Sequence, residues 1–261
     1  MKNISIIAIT ALFFSLFACD NTQEEETICL PVNMTITLVQ GSETKKIIAD
    51  FHYIPDTELI DHITWSDHQT HYFEYDASDR LAVVKAMKVD AKVLEEMWFV
   101  YDGSLVERVD LVRRNLDYVY LEPLDSIYAG YVELEYNGKQ IIKESEYEIS
   151  ANGHMEVYVR NVSYEYDNKG NLLTSTALDP ATGATEHLIM TYDKSKHPFG
   201  GLHYYFSGDS YVNNMVSRSV EETGFDYIYE LQLNEHDYPE IIYEKLGSTT
   251  TRILRYSYIC L

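Results

Sequence analysis

The sequence lacks the short motifs that mark the common classes of enzyme. It contains no His-Glu-x-x-His zinc motif, no Walker A loop and no Gly-x-Gly-x-x-Gly loop. The nearest approach to a nucleophile elbow, Gly208-Asp209-Ser210-Tyr211-Val212, fails at its last position. A hydrolase that works with two carboxylates stays open as an alternative, because its diagnostic is the separation of two acids in space. We therefore predict no catalytic residue and favour a non-catalytic role.

Positive charge is scarce as well. The chain has 20 Lys and Arg against 42 Asp and Glu, which gives a formal net charge of −22 at pH 7. Such a surface repels the phosphate backbone of nucleic acids and the headgroups of anionic lipids. The balance excludes nucleic acid as a partner, and it predicts that any contact with a membrane comes from a lipid anchor.

Long apolar runs are missing outside the N-terminus. The uncharged run from Ile4 to Ala18 is shorter than the about 20 residues that cross a bilayer, and it predicts a secretory signal. The run ends in Leu16-Phe17-Ala18-Cys19, which resembles the lipobox of bacterial lipoproteins. This resemblance implies that residues 1–18 are a lipoprotein signal peptide and that Cys19 carries lipid. An ordinary signal peptide that is cut near Ala18 is the alternative.

Residues 19–27 are predicted to be an acidic tether, because they include Glu24-Glu25-Glu26 and few apolar side chains. An acidic run directly behind a lipid-bearing Cys also resembles the export signal of Bacteroidetes surface lipoproteins. That resemblance implies an outer-membrane protein, anchored by lipid, that faces the periplasm or, by preference, the cell surface. Residues 28–261 suit one large β domain.

Cysteine is rare, with three residues in the whole chain. Once Cys19 is assigned to lipid, Cys29 and Cys260 remain near opposite ends of the domain. A compartment outside the cytoplasm permits a disulfide, which would tie the first strand to the last. Two separate buried thiols are the alternative, because free Cys is often buried.

The sequence does contain a recurrent short unit, clearest in residues 164–173. Tyr164 and Tyr166 fall on one face of a strand, because side chains alternate along it. Asp167–Asn171 is rich in turn-forming residues, and Gly170 can adopt a positive φ. A second apolar run follows, so the unit predicts a β-hairpin.

Looser copies of this unit recur along the chain. Their Tyr-Asp-like positions are Tyr75, Tyr101, Tyr136, Tyr166, Tyr192 and Leu233. The spacing is irregular, which indicates a degenerate array of hairpins rather than a strict solenoid. The predicted fold class is all-β, with consecutive antiparallel hairpins that form a strongly twisted sheet or an open barrel-like array.

One stretch, residues 210–223, has the periodicity of a short helix. Its apolar side chains at i, i+3, i+4 and i+8 are Val212, Met215, Val216 and Val220. Asp209 or Ser210 would cap its N-terminus. The next stretch, Phe225–Leu233, alternates strictly and predicts a strand.

The repeated unit of strand, Tyr-Asp, polar turn and Leu resembles the YD-type (RHS-like) repeat. The stretch Tyr192-Asp193 to Pro198-Phe199 adds a second feature, shared with a Bacteroidetes lipoprotein family of unknown function. The resemblance covers about residues 63–261 and implies a mostly antiparallel, strongly twisted β array. It implies no catalytic residues. Leu233-Asn234 departs from the pattern, which leaves open whether the last hairpin is a repeat or a cap.

No metal site or cofactor is predicted. His52, His62, His68 and His71 form the one concentration of histidine. Residues three apart on a straight strand face opposite sides, so these side chains are expected to be exposed polar groups. Asp167–Asn171 lacks the alternating acids of a calcium loop and predicts a plain turn.

Tyrosine is abundant, with 23 residues. Tyr forms strands readily, packs its ring and is expected to keep its hydroxyl in water. A row of Tyr therefore predicts either sheet packing or an aromatic platform for sugar rings. The functional prediction is a non-catalytic binding module for a glycan or an envelope protein. A glycan-processing hydrolase and a structural component of an outer-membrane complex are the alternatives.

Overall fold

Short amphipathic strands joined by tight turns make up the computed structural model, which describes residues 27–88, 93–115, 126–149, 156–199 and 212–261. The strands are β1 Cys29–Gln40, β2 Glu43–Tyr53, β3 Ile60–Trp65, β4 Gln69–Tyr75, β5 Leu81–Lys88, β6 Val93–Asp102, β7 Leu105–Asn115, β8 Ser126–Asn137, β9 Gln140–Ile149, β10 Glu156–Tyr166, β11 Leu172–Leu178, β12 Thr185–Lys196, β13 Asn213–Val220, β14 Phe225–Leu233, β15 Pro239–Leu246 and β16 Thr249–Cys260. The prediction of an all-β chain is confirmed.

The strands close into one barrel, in which each strand pairs with its neighbours in chain order. The seam is the antiparallel pairing of β1 with β16, which runs from Cys29 opposite Cys260 to Leu38 opposite Arg252. The predicted open array is therefore wrong. Hairpin patterns report only pairings between neighbours in sequence, whereas closure depends on a pairing between the two ends of the chain.

The predicted helix at 210–223 is also wrong. Asn213–Val220 is strand β13, which pairs with β12 and β14; residues 210 and 211 lie outside the described ranges. The valines of this segment are β-branched and favour strands, and ladder pairing on both sides outweighs a weak helical period. Within the described ranges, no helix is long and apolar enough to cross a membrane.

Alternation along the strands directs successive side chains to the inner and the outer side of the barrel in turn. On β14, Tyr229 faces inward and is 7% exposed, whereas Ile228 faces outward and is 49% exposed. The inner side carries two clusters of buried residues, Met34, Ala49, Phe51, Ile60, Ile63, Phe73, Val84, Phe99, Val109 and Phe199 in one and Leu134, Ile141, Val162, Tyr164, Leu172 and Met190 in the other. The outer side is mixed: on β14 it carries the acids Asp226 and Glu230 with Ile228 between them.

The start of β1, the end of β16 and the Tyr-Asp turns lie at the same end of the barrel, which we call the terminal end. The connection between β12 and β13 starts here, and its Phe199 packs inward. The ring centroid of Phe199 lies 5.6 Å from that of Phe51 and 5.9 Å from that of Tyr256. Phe199 therefore contributes to the apolar packing inside the terminal end.

The recurrent tyrosines join neighbouring strands at this end. Each hydroxyl donates a hydrogen bond to a backbone carbonyl oxygen near the start of the preceding strand: Tyr53 to Pro31, Tyr75 to Ile60, Tyr101 to Leu81, Tyr166 to Ile141 and Tyr258 to Pro239. Burial raises the pKa of Tyr75 to about 12, so this hydroxyl keeps its proton over the physiological range. The expectation that the tyrosine hydroxyls stay in water is wrong for these five positions.

A break in register precedes four of these five tyrosines, and also Tyr136 of β8, whose hydroxyl bonds to the backbone of Val106. The breaks lie at His52/Tyr53, Glu74/Tyr75, Val100/Tyr101, Glu135/Tyr136 and Glu165/Tyr166. A bulge bends a strand and changes the direction of the side chain that follows it. The bulge therefore lets each Tyr reach across to the carbonyl that it binds.

The Asp that follows the Tyr organises the turn. Asp167 Oδ1 accepts hydrogen bonds from the backbone N–H groups of Lys169 and Asn171. Asn234 repeats this pattern with His236 and Tyr238. The last hairpin is therefore built as a copy of the repeat turn, although its sequence has lost both Tyr and Asp.

We expect Tyr166→Phe to destabilise the barrel by about 1 kcal/mol, because it removes the hydrogen bond to Ile141 and leaves a partly buried carbonyl oxygen without that donor. The loss should lower the melting temperature by about 3 °C, measured by calorimetry. The control is Tyr72→Phe, since Tyr72 is 42% exposed. Equal stability of both variants would show that the hydroxyl bond contributes nothing.

Candidate functional site

A row of aromatic side chains crosses the outer wall of the barrel. The ladder places Trp98 of β6 opposite Asp110 of β7, and Asp110 opposite Tyr131 of β8. It continues from Tyr131 to Tyr147 of β9 and from there to Tyr158 of β10. Neighbouring strands lie about 4.8 Å apart, so the row spans roughly 19 Å. We call these five residues the outer row.

Trp98 is the most exposed ring of the row, at 41%. Its indole N–H donates a 2.9 Å hydrogen bond to Glu96 Oε2. Glu96 is buried on the same wall, and Val83, which is opposite Trp98 on β5, is buried as well. The indole is therefore held in one orientation while part of its surface faces solvent.

Asp110 separates the two aromatic parts of the row. Arg108 Nε lies 2.9 Å from Asp110 Oδ1, and the guanidinium carbon lies 5.5 Å from the centroid of the Tyr131 ring. The register therefore places the short side chain of Asp110 between the larger side chains of Trp98 and Tyr131, and we call this position, with Arg108 beside it, the slot. The backbones that carry Trp98 and Tyr131 lie two strands apart, which is roughly 9–10 Å.

The remaining tyrosines of the row pack against one another. The rings of Tyr131 and Tyr147 are stacked with centroids 4.7 Å apart, and Tyr158 lies 5.2 Å from Tyr147. Burial and a hydrogen bond to Glu156 raise the pKa of Tyr131 to about 12, so its hydroxyl stays protonated. Stacking covers the faces of the Tyr131 and Tyr147 rings that meet, so Trp98 is the ring of the row with the most exposed surface.

The four histidines between positions 52 and 71 do not meet at one point. His52 and His62 stack on the outer wall with centroids 4.1 Å apart, and Asp61 contacts His62 at 2.7 Å. His71 lies on the inner side, where burial lowers its pKa, and His68 occupies a turn with a φ of 68°. The four histidines therefore lie on different sides of the barrel and cannot bind one metal ion together.

The buried carboxylates of the described residues do not form a pair. Glu96 belongs to β6, and Glu244 belongs to β15, where it contacts Arg252 and accepts a hydrogen bond from Thr251. The two strands are not neighbours in the barrel. These two acids therefore do not provide the geometry of a glycoside hydrolase.

The two cysteines of the domain meet at the seam. Cys29 and Cys260 are opposite each other in the β1–β16 ladder, with Sγ atoms 2.02 Å apart and Cα atoms 4.0 Å apart. The ring of His236, in the turn between β14 and β15, lies beside them, and the three ligand atoms fall within 4.8 Å of one another. Cys19 lies outside the described residues.

Sequence reasoning missed both groupings. The outer row depends on the register of five strands, and the approach of His236 to Cys29 depends on barrel closure. The sequence does show the alternation within each strand and the placement of Cys260 on the apolar face of the last strand. Neither signal states which residues of distant strands become neighbours.

No protein-family model matches the chain, and no curated protein matches it. A porin-like protein from Bacteroides uniformis has a similar structure, with a TM-score of 0.52 and 8% identity, over 88% of this chain and 96% of that one. A porin-like protein from Bacteroides vulgatus gives 0.38 and 11%, over 86% and 97%. A chain of TcdB2-TccC3-Cdc42 gives 0.34 and 15%, over 82% of this chain and 11% of that one.

The first of these similarities concerns the fold alone, because the identity is only 8%. It agrees with the closed barrel of the present chain. The resemblance to YD-type repeats and to a Bacteroidetes lipoprotein family stays a prediction.

Proposed function

We propose that the protein is a lipid-anchored, water-exposed barrel of the bacterial outer membrane that binds a glycan without catalysing a reaction. The observation that carries this proposal is the slot of the outer row, with Trp98 on one side, Arg108 and Tyr131 on the other, and Asp110 as its floor. Cys19 supplies the anchor, and residues 19–27 supply the tether, as the sequence predicts.

Charge on the outer wall supports a barrel that faces water rather than lipid. A barrel that crosses a membrane carries an apolar outer band about 25 Å tall. Here cross-strand ion pairs lie on the outer wall at three places, namely Lys85 with Glu74, Lys143 with Glu135 and Lys245 with Glu230. A Lys at the middle of a bilayer costs about 2–4 kcal/mol, so charge on this wall favours contact with water, although the wall also carries exposed apolar side chains such as Ile189 and Ile228.

The slot matches the chemistry of a sugar ring. A pyranose has apolar C–H faces, which pack against aromatic rings such as Trp98, and hydroxyl groups around its edge. A carboxylate accepts hydrogen bonds from such hydroxyls, and a guanidinium donates to them. Asp110 and Arg108 are already oriented by their mutual contact, so binding requires little reorganisation of either side chain.

Trp98→Ala is expected to weaken glycan binding roughly thirtyfold, because a central aromatic anchor typically contributes about 2 kcal/mol. The measurement is native affinity electrophoresis of a protein that starts at Gln23, run against a panel of host and dietary polysaccharides. The same mixtures are assayed for new reducing ends. The matched control is Tyr72→Ala, which removes an exposed ring of the same wall.

Each outcome of this experiment separates the hypotheses. Retardation that Trp98→Ala abolishes and Tyr72→Ala retains supports binding in the slot. Retardation that survives Trp98→Ala contradicts the assignment of the site. New reducing ends would indicate the hydrolase instead. A broad panel without retardation would shift the proposal to an envelope protein as partner or to a structural role, and cross-linking in cells would then identify the neighbour.

A further inference from the structure

The seam at the terminal end brings three soft or borderline metal ligands together. Cys29 is buried, Cys260 is exposed at the end of β16, and His236 is half-buried. Their ligand atoms lie within 4.8 Å of one another. Two sulfurs and one imidazole are the donor set that proteins use for zinc and related ions.

The backbone holds the three residues in place independently of the S–S bond. Cys29 and Cys260 are fixed by the β1–β16 ladder, which continues to Leu38 and Arg252. The N–H of His236 donates a 2.9 Å hydrogen bond to Asn234 Oδ1, which fixes the turn. Breaking the S–S bond therefore leaves two thiols and an imidazole as neighbours rather than releasing them.

A carboxylate lies beside the imidazole. Glu235 Oε1 lies 3.6 Å from His236 Nε2. This contact is too long for a hydrogen bond, but it places a negative charge beside the imidazole, which favours the approach of a cation. Glu235 is largely exposed, so the site lies at the surface and is accessible to an ion from solvent.

We propose that the seam is a redox-dependent metal site, which is a disulfide when oxidised and a Cys29–Cys260–His236 site for a zinc-like divalent ion when reduced. A thiol reductant breaks the Cys29–Cys260 bond: two molecules of the reductant are oxidised to one disulfide, and the protein gains two thiols. Binding of the ion then displaces the thiol protons, which pass to solvent. Three protein ligands leave a fourth position for water or another ligand.

The site requires only a modest local rearrangement. Zinc binds sulfur at about 2.3 Å and nitrogen at about 2.0 Å, so the two sulfurs must separate beyond their bonded distance while the imidazole approaches them. The seam can then stay closed in both states, because either the covalent bond or the ion joins β1 to β16.

The test uses the full-length chain with Cys19→Ser, in mild detergent, so that Cys29 and Cys260 are the remaining cysteines. The protein is reduced with a thiol, freed of reductant under nitrogen and titrated with Co²⁺ as a spectroscopic probe. We expect one equivalent of Co²⁺ to bind with the charge-transfer absorption of thiolate ligands, and Zn²⁺ to displace it. Oxidised protein should show no such absorption.

Variants identify the ligands. Cys29→Ser with Cys260→Ser should abolish the thiolate absorption, and His236→Ala should weaken Co²⁺ binding at least tenfold. His187→Ala is the matched control, because this half-exposed histidine contacts an acid, Glu222, in the same way. The proposal is overturned if the reduced chain binds no Co²⁺, or if His236→Ala binds it as tightly as the parent chain.

Discussion

Loss of the Cys29–Cys260 bond is expected to destabilise the protein by about 5 kcal/mol in a Cys29→Ser, Cys260→Ser double variant. The two residues are 231 positions apart, and the chain-entropy model assigns a value of this size to a loop of such length. The bond also lies at the seam, where it links the first strand to the last. Its loss therefore acts on the pairing that closes the barrel.

Unfolding in guanidinium chloride measures this effect, with a chelator present so that no metal ion can replace the bond. The matched control is the parent chain after reduction, which should lose the same stability without a change of sequence. A non-reducing peptide map should first show the two cysteines linked. Free thiols at both positions, or equal unfolding midpoints for variant and parent, would contradict the prediction.

Gly130→Ala is expected to cost about 3 kcal/mol or more and to abolish binding at the outer row. Gly130 has a φ of 156°, and a Cβ placed there would lie 2.1 Å from the carbonyl oxygen of Tyr147. That oxygen belongs to the backbone of β9, so relief requires the two strands to separate. The residue directly precedes Tyr131, so the same displacement would move a wall of the slot.

The matched control is Gly138→Ala in the β8–β9 turn. Gly138 also has a positive φ, 64°, but no atom lies within 4 Å of the position that a Cβ would take there. Gly138→Ala should therefore lower the free energy of unfolding only by the roughly 1–2 kcal/mol that a left-handed conformation costs an alanine. Equal losses for the two variants, by chemical unfolding, would show that the close approach of the strands at Gly130 is not what excludes a side chain.

Much of this fold could be predicted from local sequence. The turn at Asp167–Asn171 depends on groups that are adjacent in the chain, and strict alternation in Phe225–Leu233 identifies a strand directly. The helix prediction for Asn213–Val220 was wrong because the conformation of this segment does not depend on its local sequence alone. Pairing with the two neighbouring strands outweighed its weak helical period.

Closure and the candidate sites could not be predicted in the same way. The seam joins residues at opposite ends of the chain, and the slot depends on the register of β6, β7 and β8. A one-residue change in that register would move Trp98 away from Asp110. The sequence did identify Tyr as important, but the strand bulges that precede these tyrosines and direct their hydroxyls to backbone carbonyls leave no clear mark in a single sequence.

The central claim is that the outer wall of the barrel faces water and not lipid. Flotation with lipid vesicles tests this claim most directly. Chain that starts at Gln23 lacks Cys19, so only the barrel itself can hold it to a membrane. We predict that it stays monomeric without detergent and remains at the bottom of a density gradient while the vesicles float. Chain that floats with the vesicles, or that needs detergent to stay in solution, would show a membrane-spanning barrel and contradict the account.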